Sequence, residues 1–182
     1  MQVITHPLPG LLEFRPRIFG DDRGAFFESF SARTMEGLGL PHHDWVQDNQ
    51  SSSKAGTVRG LHFQRPPHAQ AKLVRVAQGR ALDVVVDLRR DSPTFGQHAK
   101  VELTAALGNV FYVPVGFAHG FVALEDNTLF LYKCSDYYTP AAEGGLLWND
   151  PALGIAWSFE GEALVSPKDL ILPTLAELES PF

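Results

Sequence analysis

Frequent turn signals divide this chain into short apolar segments, and that division restricts its possible folds more than any other feature. Glycine, proline, asparagine and aspartate recur along the sequence, and the segments between them are rich in Val, Leu, Phe and Tyr. Short strands at such spacing are typical of a sandwich or a barrel. Helical periodicity is scarce, so we expect one mainly β domain over residues 1–182.

Six segments in the middle of the chain are predicted to be strands. They are 72–77, 80–88, 100–105, 109–114, 118–124 and 128–138. Only Gln78 and Gly79 separate the first two, so these two are predicted to pair as a hairpin. Short helices are predicted at 31–40, with Ser31 as its N-cap, and at 173–179.

Charge and cysteine content limit the classes of function. The 182 residues carry a formal net charge of -6, which argues against nucleic acid as a bulk partner. The one cysteine, Cys134, cannot form a disulfide within the chain. No secretory signal and no apolar run of about 20 residues is apparent. We expect a cytoplasmic protein without membrane contact.

The stretch 57–76, "TVRGLHFQRPPHAQAKLVRV", combines polar residues with a strand pattern. His62 and Lys72 lie in segments that lead into a core rich in valine. Side chains alternate between the two faces of a strand, and small barrels can hold one ligand inside. Polar residues on the inward face therefore predict a lined cavity.

Two spaced sets of residues resemble the cupin motifs. Gly108, Pro114, Gly116 and His119 resemble the second motif, and Gly56 with His62 resembles the first. Metal-binding cupins use a His and a Glu where this chain has Gln64 and Lys72. Gln is a poor ligand, and a protonated Lys has no acceptor atom. We therefore predict a cupin jelly-roll barrel with short peripheral helices, and no metal.

A closer resemblance covers nearly the whole chain. The segments "DDRGAFFESF", "QDNQSSS", "RGLHFQ", "KLVRV", "YVPVGFAHGF", "LYKCSDYY" and "PKD" resemble the dTDP-4-dehydrorhamnose 3,5-epimerase family. The resemblance implies a homodimer without a cofactor that inverts carbons beside the keto group of a dTDP-linked 4-keto-6-deoxyhexose.

The resemblance also implies catalytic roles, and the chemistry of epimerisation requires such groups. His62 is the base, oriented by Asp169, and Tyr132 is the acid on the far side, with Tyr138 as its competitor. Lys72 stabilises the enolate oxygen. A base, an acid and a cation are what proton exchange beside a ketone needs. Taken alone, Tyr132 could be a core residue and Asp169 a helix cap.

The remaining implied residues contact the substrate. Arginine suits the diphosphate because its planar fork forms paired, charge-assisted bonds, and Tyr138 is implied to stack on thymine. The substrate-binding residues are Arg23, Glu28, Gln47, Asn49, Arg59, Lys72, His119, Tyr138, Glu143 and Lys168.

Three other functions stay open from the residues. Relatives that invert one carbon or isomerise the keto group share most of these motifs. A metal-dependent cupin would need ligands at Gln64 and Lys72. A non-catalytic sugar-nucleotide module would keep the arginines and Tyr138 but would have little use for His62, Asp169 and Tyr132.

Overall fold

Two sheets face each other in the computed structural model, which describes residues 1–182. The first sheet has the strand order β1-β2-β10-β7-β12-β5, and the second has the order β13-β6-β11-β8-β9, with β14 parallel to β6. The strands are β1 Gln2–Thr5, β2 Leu12–Arg15, β3 Phe19–Asp21, β4 Gly24–Phe26, β5 Gln47–Ser53, β6 Thr57–Gln64, β7 Lys72–Gln78, β8 Arg80–Asp87, β9 His98–Thr104, β10 Val110–Val113, β11 Phe117–Ala123, β12 Thr128–Cys134, β13 Glu143–Gly145 and β14 Leu164–Val165. The predicted all-β cupin jelly roll is confirmed.

The predicted hairpin of the segments around Lys72 and Arg80 is wrong. Strand β7 pairs with β10 and β12, whereas β8 pairs with β9 and β11 in the other sheet. Gly79, at φ +77°, turns the chain from one sheet to the other. A Cβ at Gly79 would lie 2.6 Å from the Thr128 hydroxyl oxygen, so the turn has no room for a side chain.

The central core lies between the sheets. Val74 and Val76 of β7, Val85 of β8 and Phe130 of β12 are fully or almost fully buried there. Leu73, the neighbour of Val74, belongs to a different cluster on the outer face of the first sheet. This alternation makes the inner face of β7 continuous with the cavity at Lys72.

Helices are short and peripheral. Helix α1 spans Ala32–Glu36, and the Ser31 hydroxyl accepts a hydrogen bond from the Thr34 amide at 3.3 Å, so the predicted N-cap is confirmed. Two 3₁₀ helices span Pro140–Ala142 and Asp169–Ile171.

The helix predicted at 173–179 is absent. That segment forms one turn, in which the Leu178 amide donates to the Thr174 carbonyl at 3.0 Å. The Glu177 carboxylate accepts from the Thr174 amide at 2.9 Å, which is the contact of a helix start, but the turn does not continue into a helix. None of the helices is long and apolar enough to cross a membrane.

Strands β3 and β4 form a separate two-stranded arm. They pair only with each other, through Phe19–Phe26 and Asp21–Gly24. Phe19 is 53% exposed and Phe26 is 73% exposed. The arm therefore presents aromatic surface away from its own barrel.

Candidate active site

A cleft inside the barrel gathers most of the candidate residues. It has two adjoining parts of about 350 Å³ and about 300 Å³, and His62, Lys72 and Tyr132 line both. The other candidates in the first part are Arg59, His119, Lys168 and Asp169. Those in the second part are Gln47, Asn49, Tyr138 and Glu143.

A bulge in β6 brings two of these side chains into the cleft. His119 of β11 is opposite His62, and Phe121, two residues further, is opposite Arg59. Between these two pairs, β6 therefore advances by three residues and β11 by only two. The extra residue reverses the alternation of faces, so Arg59 and His62 both line the cleft despite their odd spacing.

Glycines on the two strands permit the bulge. Gly60 has φ +123°, and a Cβ there would lie 2.6 Å from the Gly120 Cα. A Cβ at Gly120 would lie 2.6 Å from the Arg59 carbonyl oxygen. The two backbones approach so closely that neither position accepts a side chain.

His62 and Asp169 form a dyad. His62 Nε2 is 2.7 Å from Asp169 Oδ1, and the Gly60 amide donates to Asp169 Oδ2 at 3.3 Å. Asp169 is 3% exposed. Burial by itself would raise the pKa of Asp169, but the hydrogen bond from His62, with further bonds from Gly60 and Ser166, lowers it below its usual value. An ionised Asp169 accepts a hydrogen bond from the N–H at His62 Nε2. The other ring nitrogen, Nδ1, then carries no proton and is the basic nitrogen.

Lys72 brings a cation into this cavity. Its Nζ lies 5.9 Å from the centre of the Tyr132 ring, and it makes no ion pair within 4.0 Å. Burial lowers the pKa of Lys72, and the nearby Cys134, Asp83 and Glu143 oppose that shift. An ammonium in such surroundings interacts strongly with any negative charge that develops beside it.

Tyr132 lies across the cleft on β12. Burial raises the pKa of its phenol, Cys134 adds to the rise, and Arg59 opposes it. The phenol therefore stays protonated near neutral pH and is able to give up a proton as an acid.

Sequence analysis missed Asp83. Its Oδ2 lies 2.8 Å from His119 Nε2, and the residue is fully buried. A signal was available, because Asp83 interrupts the run of apolar residues in "ALDVVV" and has the parity of the inward-facing Ala81 and Val85.

The mouth of the cleft carries a chain of charged and polar groups. Lys168 Nζ lies 2.6 Å from Glu143 Oε1, and the Tyr138 hydroxyl donates to Glu143 Oε2 at 3.0 Å. The pKa of Lys168 is raised, chiefly by its hydrogen bond to Glu143. Tyr138 is 52% exposed, so its ring is open to a ligand at the entrance.

Arg23 and Glu28 are not brought to the cleft of their own chain. Arg23 lies in the exposed β3–β4 arm, and its nearest ionic partner is Asp21, at 2.6 Å. Neither Arg23 nor Glu28 lines either part of the cleft. They are the only two candidate residues outside it.

Gln64 has a structural role instead of a ligand's role. Its amide nitrogen donates to the His68 carbonyl at 2.7 Å and to the Tyr137 carbonyl at 3.1 Å. Its amide oxygen accepts from the Thr139 amide at 2.7 Å. No group of three or more His, Cys, Asp or Glu side chains is arranged to hold a metal ion.

Comparison with known proteins gives one consistent family. The family model described as dTDP-4-dehydrorhamnose 3,5-epimerase matches residues 5–177. A dTDP-4-dehydrorhamnose 3,5-epimerase from Salmonella typhimurium is 49% identical over 175 residues, which cover 96% of each chain.

Solved structures of the same family share the fold. A Legionella pneumophila dTDP-6-deoxy-D-glucose-3,5-epimerase in complex with dTDP-4-keto-L-rhamnose has a TM-score of 0.94 and 42% identity, over 98% of this chain and 94% of that one. A 3′-monoepimerase from Streptomyces bikiniensis in complex with dTDP-quinovose has a TM-score of 0.88 and 36% identity, over 94% and 87% of the two chains.

Proposed function

The chain belongs to the dTDP-4-dehydrorhamnose 3,5-epimerase family, and we propose that it inverts C3 and C5 of a dTDP-linked 4-keto-6-deoxyhexose in deoxysugar biosynthesis. It is an isomerase. The observation that carries the proposal is the shared cavity of His62, Lys72 and Tyr132. A base, a cation and an acid around one site are the groups that epimerisation beside a ketone requires.

The base step uses the His62–Asp169 dyad. His62 Nδ1 takes the proton from a carbon beside the keto group, and the bonding electrons move onto the keto oxygen as an enolate. The imidazolium that forms is stabilised by the Asp169 carboxylate, 2.7 Å away. Each step is a proton transfer, so the proposed reaction uses no cofactor.

Lys72 and Tyr132 complete the exchange. The Lys72 ammonium stabilises the enolate oxygen, and Tyr132 returns a proton to the opposite face of the same carbon. Tyr132 is a better candidate for the acid than Tyr138, because Tyr138 is half exposed and donates its hydroxyl proton to Glu143. Solvent then takes the proton from the His62 imidazolium and returns one to the Tyr132 phenolate, and repetition at the second carbon beside the ketone gives the double inversion.

The substrate-binding residues surround this centre. We assign the sugar and its diphosphate to the part of the cleft near Arg59, His119 and Lys168, and the thymine to the part near Tyr138, whose exposed ring suits stacking. Gln47, Asn49 and Glu143 supply polar contacts beside Tyr138. The amide of Gln64 is satisfied by backbone groups, which supports a reaction without a metal.

Arg23 and Glu28 fit this function in a homodimer. The exposed β3–β4 arm, with Phe19 and Phe26 on its surface, supports contact with a second copy whose cleft it completes. Arg23→Ala and His62→Ala chains, refolded together, should then recover activity that neither variant has alone. A mixture as inactive as its parts would contradict shared sites.

We further propose a cytoplasmic enzyme, since the one thiol cannot form a disulfide within the chain.

A single-carbon epimerase is the second candidate, because a 3′-monoepimerase shares the fold at 36% identity. Incubation with the substrate in deuterated water, followed by NMR, separates the two. Deuterium at C3 and C5 with inverted product supports the proposal, and deuterium at one carbon supports the alternative. A bound but unlabelled sugar would contradict both and indicate a binding module.

A further inference from the structure

A second histidine–carboxylate pair joins His119, which lines the cavity, to the buried Asp83. His119 Nε2 is 2.8 Å from Asp83 Oδ2, and the two residues are 7% and 0% exposed. His119 is also opposite His62 in the β11–β6 ladder. Two histidines on facing strands, each bonded to a buried carboxylate, therefore line one site.

The sheet register brings Asp83, on the inner face of β8, next to His119. Asp83 is paired with Phe121 of β11, and Val85 is paired with His119. The carboxylate therefore reaches diagonally along the ladder to the imidazole, within the range of such neighbours. Its inward neighbours on β8, Ala81 and Val85, belong to the central core.

One oxygen of Asp83 is left without a hydrogen-bond partner. Oδ2 is bonded to His119, but Oδ1 is buried and unpaired. A buried carboxylate oxygen without a donor is costly unless a cation lies close by. One such cation is Lys72, which lines the same cavity as His119 and whose charge interacts with that of Asp83.

We propose that Asp83 is a positioning residue for Lys72 and His119: it holds the His119 ring with Nε2 protonated, and it keeps Lys72 as an ammonium ion beside the keto oxygen. The inference rests on the proposed epimerase function and deepens it. Asp83 acts on the substrate only through these two side chains.

The other groups around Lys72 are less able to keep its amine protonated. Burial raises the pKa of the Cys134 thiol, so this neighbour carries no charge near neutral pH. The Glu143 carboxylate is already bonded to Lys168 and Tyr138. The titratable and charged groups that share the cavity with Lys72 or act on its charge are Arg59 and His62 of β6, Asp83 of β8, His119 of β11, Tyr132 and Cys134 of β12, Glu143 of β13, Tyr138, Lys168 and Asp169.

The charge balance explains why a carboxylate is needed. Burial favours the neutral amine of Lys72, and a nearby anion favours the ammonium. Burial also raises the pKa of Asp83, while His119 and Lys72 lower it. The two ions therefore stabilise one another against the burial that disfavours each of them.

Asp83→Asn tests the proposal, because it keeps the shape and removes the charge. We expect kcat to fall roughly 10- to 100-fold with KM changed less than about threefold, since the lost support acts on the enolate. Activity needs protonated Lys72 and is lost as the pH rises through its pKa. Removal of the anion lowers that pKa, so the alkaline limb of the kcat profile should move down by about one pH unit or more.

Two comparisons identify the route of the effect. In a Lys72→Met background, Asp83→Asn should lower kcat much less than it does in the wild-type background, because only its support of His119 remains to be lost. Exposed Asp91, changed to Asn, controls for the carboxylate-to-amide exchange. An alkaline limb unmoved in Asp83→Asn, or effects that multiply in the double variant, would overturn the proposal.

Wild-type protein provides a measurement that does not depend on a folded variant. NMR of ¹⁵N-labelled histidine, with His119 identified by its loss in His119→Gln, should show Nε2 protonated and Nδ1 bare at high pH. The opposite tautomer would overturn the proposal. Wild-type enzyme that puts no deuterium into the sugar would instead contradict the proposed function itself.

Discussion

Arg59 and His62 are three residues apart on β6, yet both side chains line the same cavity. Regular alternation would send one of them to the outer face, where Val58, Leu61 and Phe63 pack. The bulge at Gly60 reverses the alternation between them. The positions of a proposed phosphate ligand and a proposed base therefore depend on one glycine.

Gly60→Ala tests that dependence. A Cβ at φ +123° would lie 2.6 Å from the Gly120 Cα, so we expect the free energy of unfolding to fall by about 2 kcal/mol or more. Activity should fall with it, because Arg59 and His62 lose their common face. Gly154 has φ +59° and open space around it, so Gly154→Ala should lower the free energy of unfolding by only about 1 kcal/mol. Denaturant titration and turnover of both variants check this, and equal effects would contradict the close approach.

His62→Ala should reduce exchange of substrate hydrogens with deuterated water by about 10²–10⁴-fold, because the proposed base is lost. Asp169→Asn should reduce exchange less, since the imidazole remains but loses its anionic partner. NMR of the recovered sugar measures both. His42→Ala, in an exposed histidine, is the control. Unchanged exchange in His62→Ala would move the base elsewhere.

Tyr132→Phe should separate deprotonation from product formation. The base and the cation remain, so we expect exchange near the wild-type rate and epimerised product reduced by about 10²-fold or more at one or both carbons. Tyr138→Phe is the matched comparison, and it should form product near the wild-type rate, because it keeps the ring that stacks on thymine. Equal turnover by Tyr132→Phe and wild type would transfer the acid role to another residue.

Lys72→Met should lower kcat roughly 10²–10³-fold, since the enolate oxygen loses its charged partner. The same change leaves the buried Asp83 carboxylate without its cation, so we expect the free energy of unfolding to fall by about 1–3 kcal/mol. Thermal melting and steady-state kinetics on one preparation measure both effects. Lys54→Met, at an exposed lysine, should leave kcat unchanged. A fully active Lys72→Met variant would contradict the oxyanion role.

Asp87→Asn should lower stability in a pH-dependent way, far from the chemistry. Burial opposes ionisation of Asp87, but bonds from Arg89, Ser92 and Thr94 lower its pKa to about 2. The pKa of Asp87 in the unfolded chain is about 4. The ionised carboxylate therefore contributes about 2 kcal/mol to the free energy of unfolding above that pH, and this contribution is lost as the pH falls towards 2. Thermal melting of the wild type and of Asp87→Asn between pH 7 and pH 2.5 should show their difference in stability shrink as the pH falls. A difference in stability that stays constant would contradict this prediction.

Local signals in the sequence were sufficient for much of this protein. The Ser31 cap needs only a hydroxyl three residues before the Thr34 amide. The strands follow from short apolar runs between turn residues, and ordered motifs indicated the family. These features depend on neighbours along the chain, so they can be found without coordinates.

Pairing at a distance was decided only by the tertiary structure. The sequence could not show that β7 and β8 belong to different sheets, or that Asp83 reaches His119. Asp169 meets His62 across 107 positions of sequence, which only the folded register brings to 2.7 Å. The sequence by itself determined the strands, the family and the chemistry available. The tertiary structure decided which groups share a face, because strand pairing and one bulge set side-chain direction through contacts that no local pattern encodes.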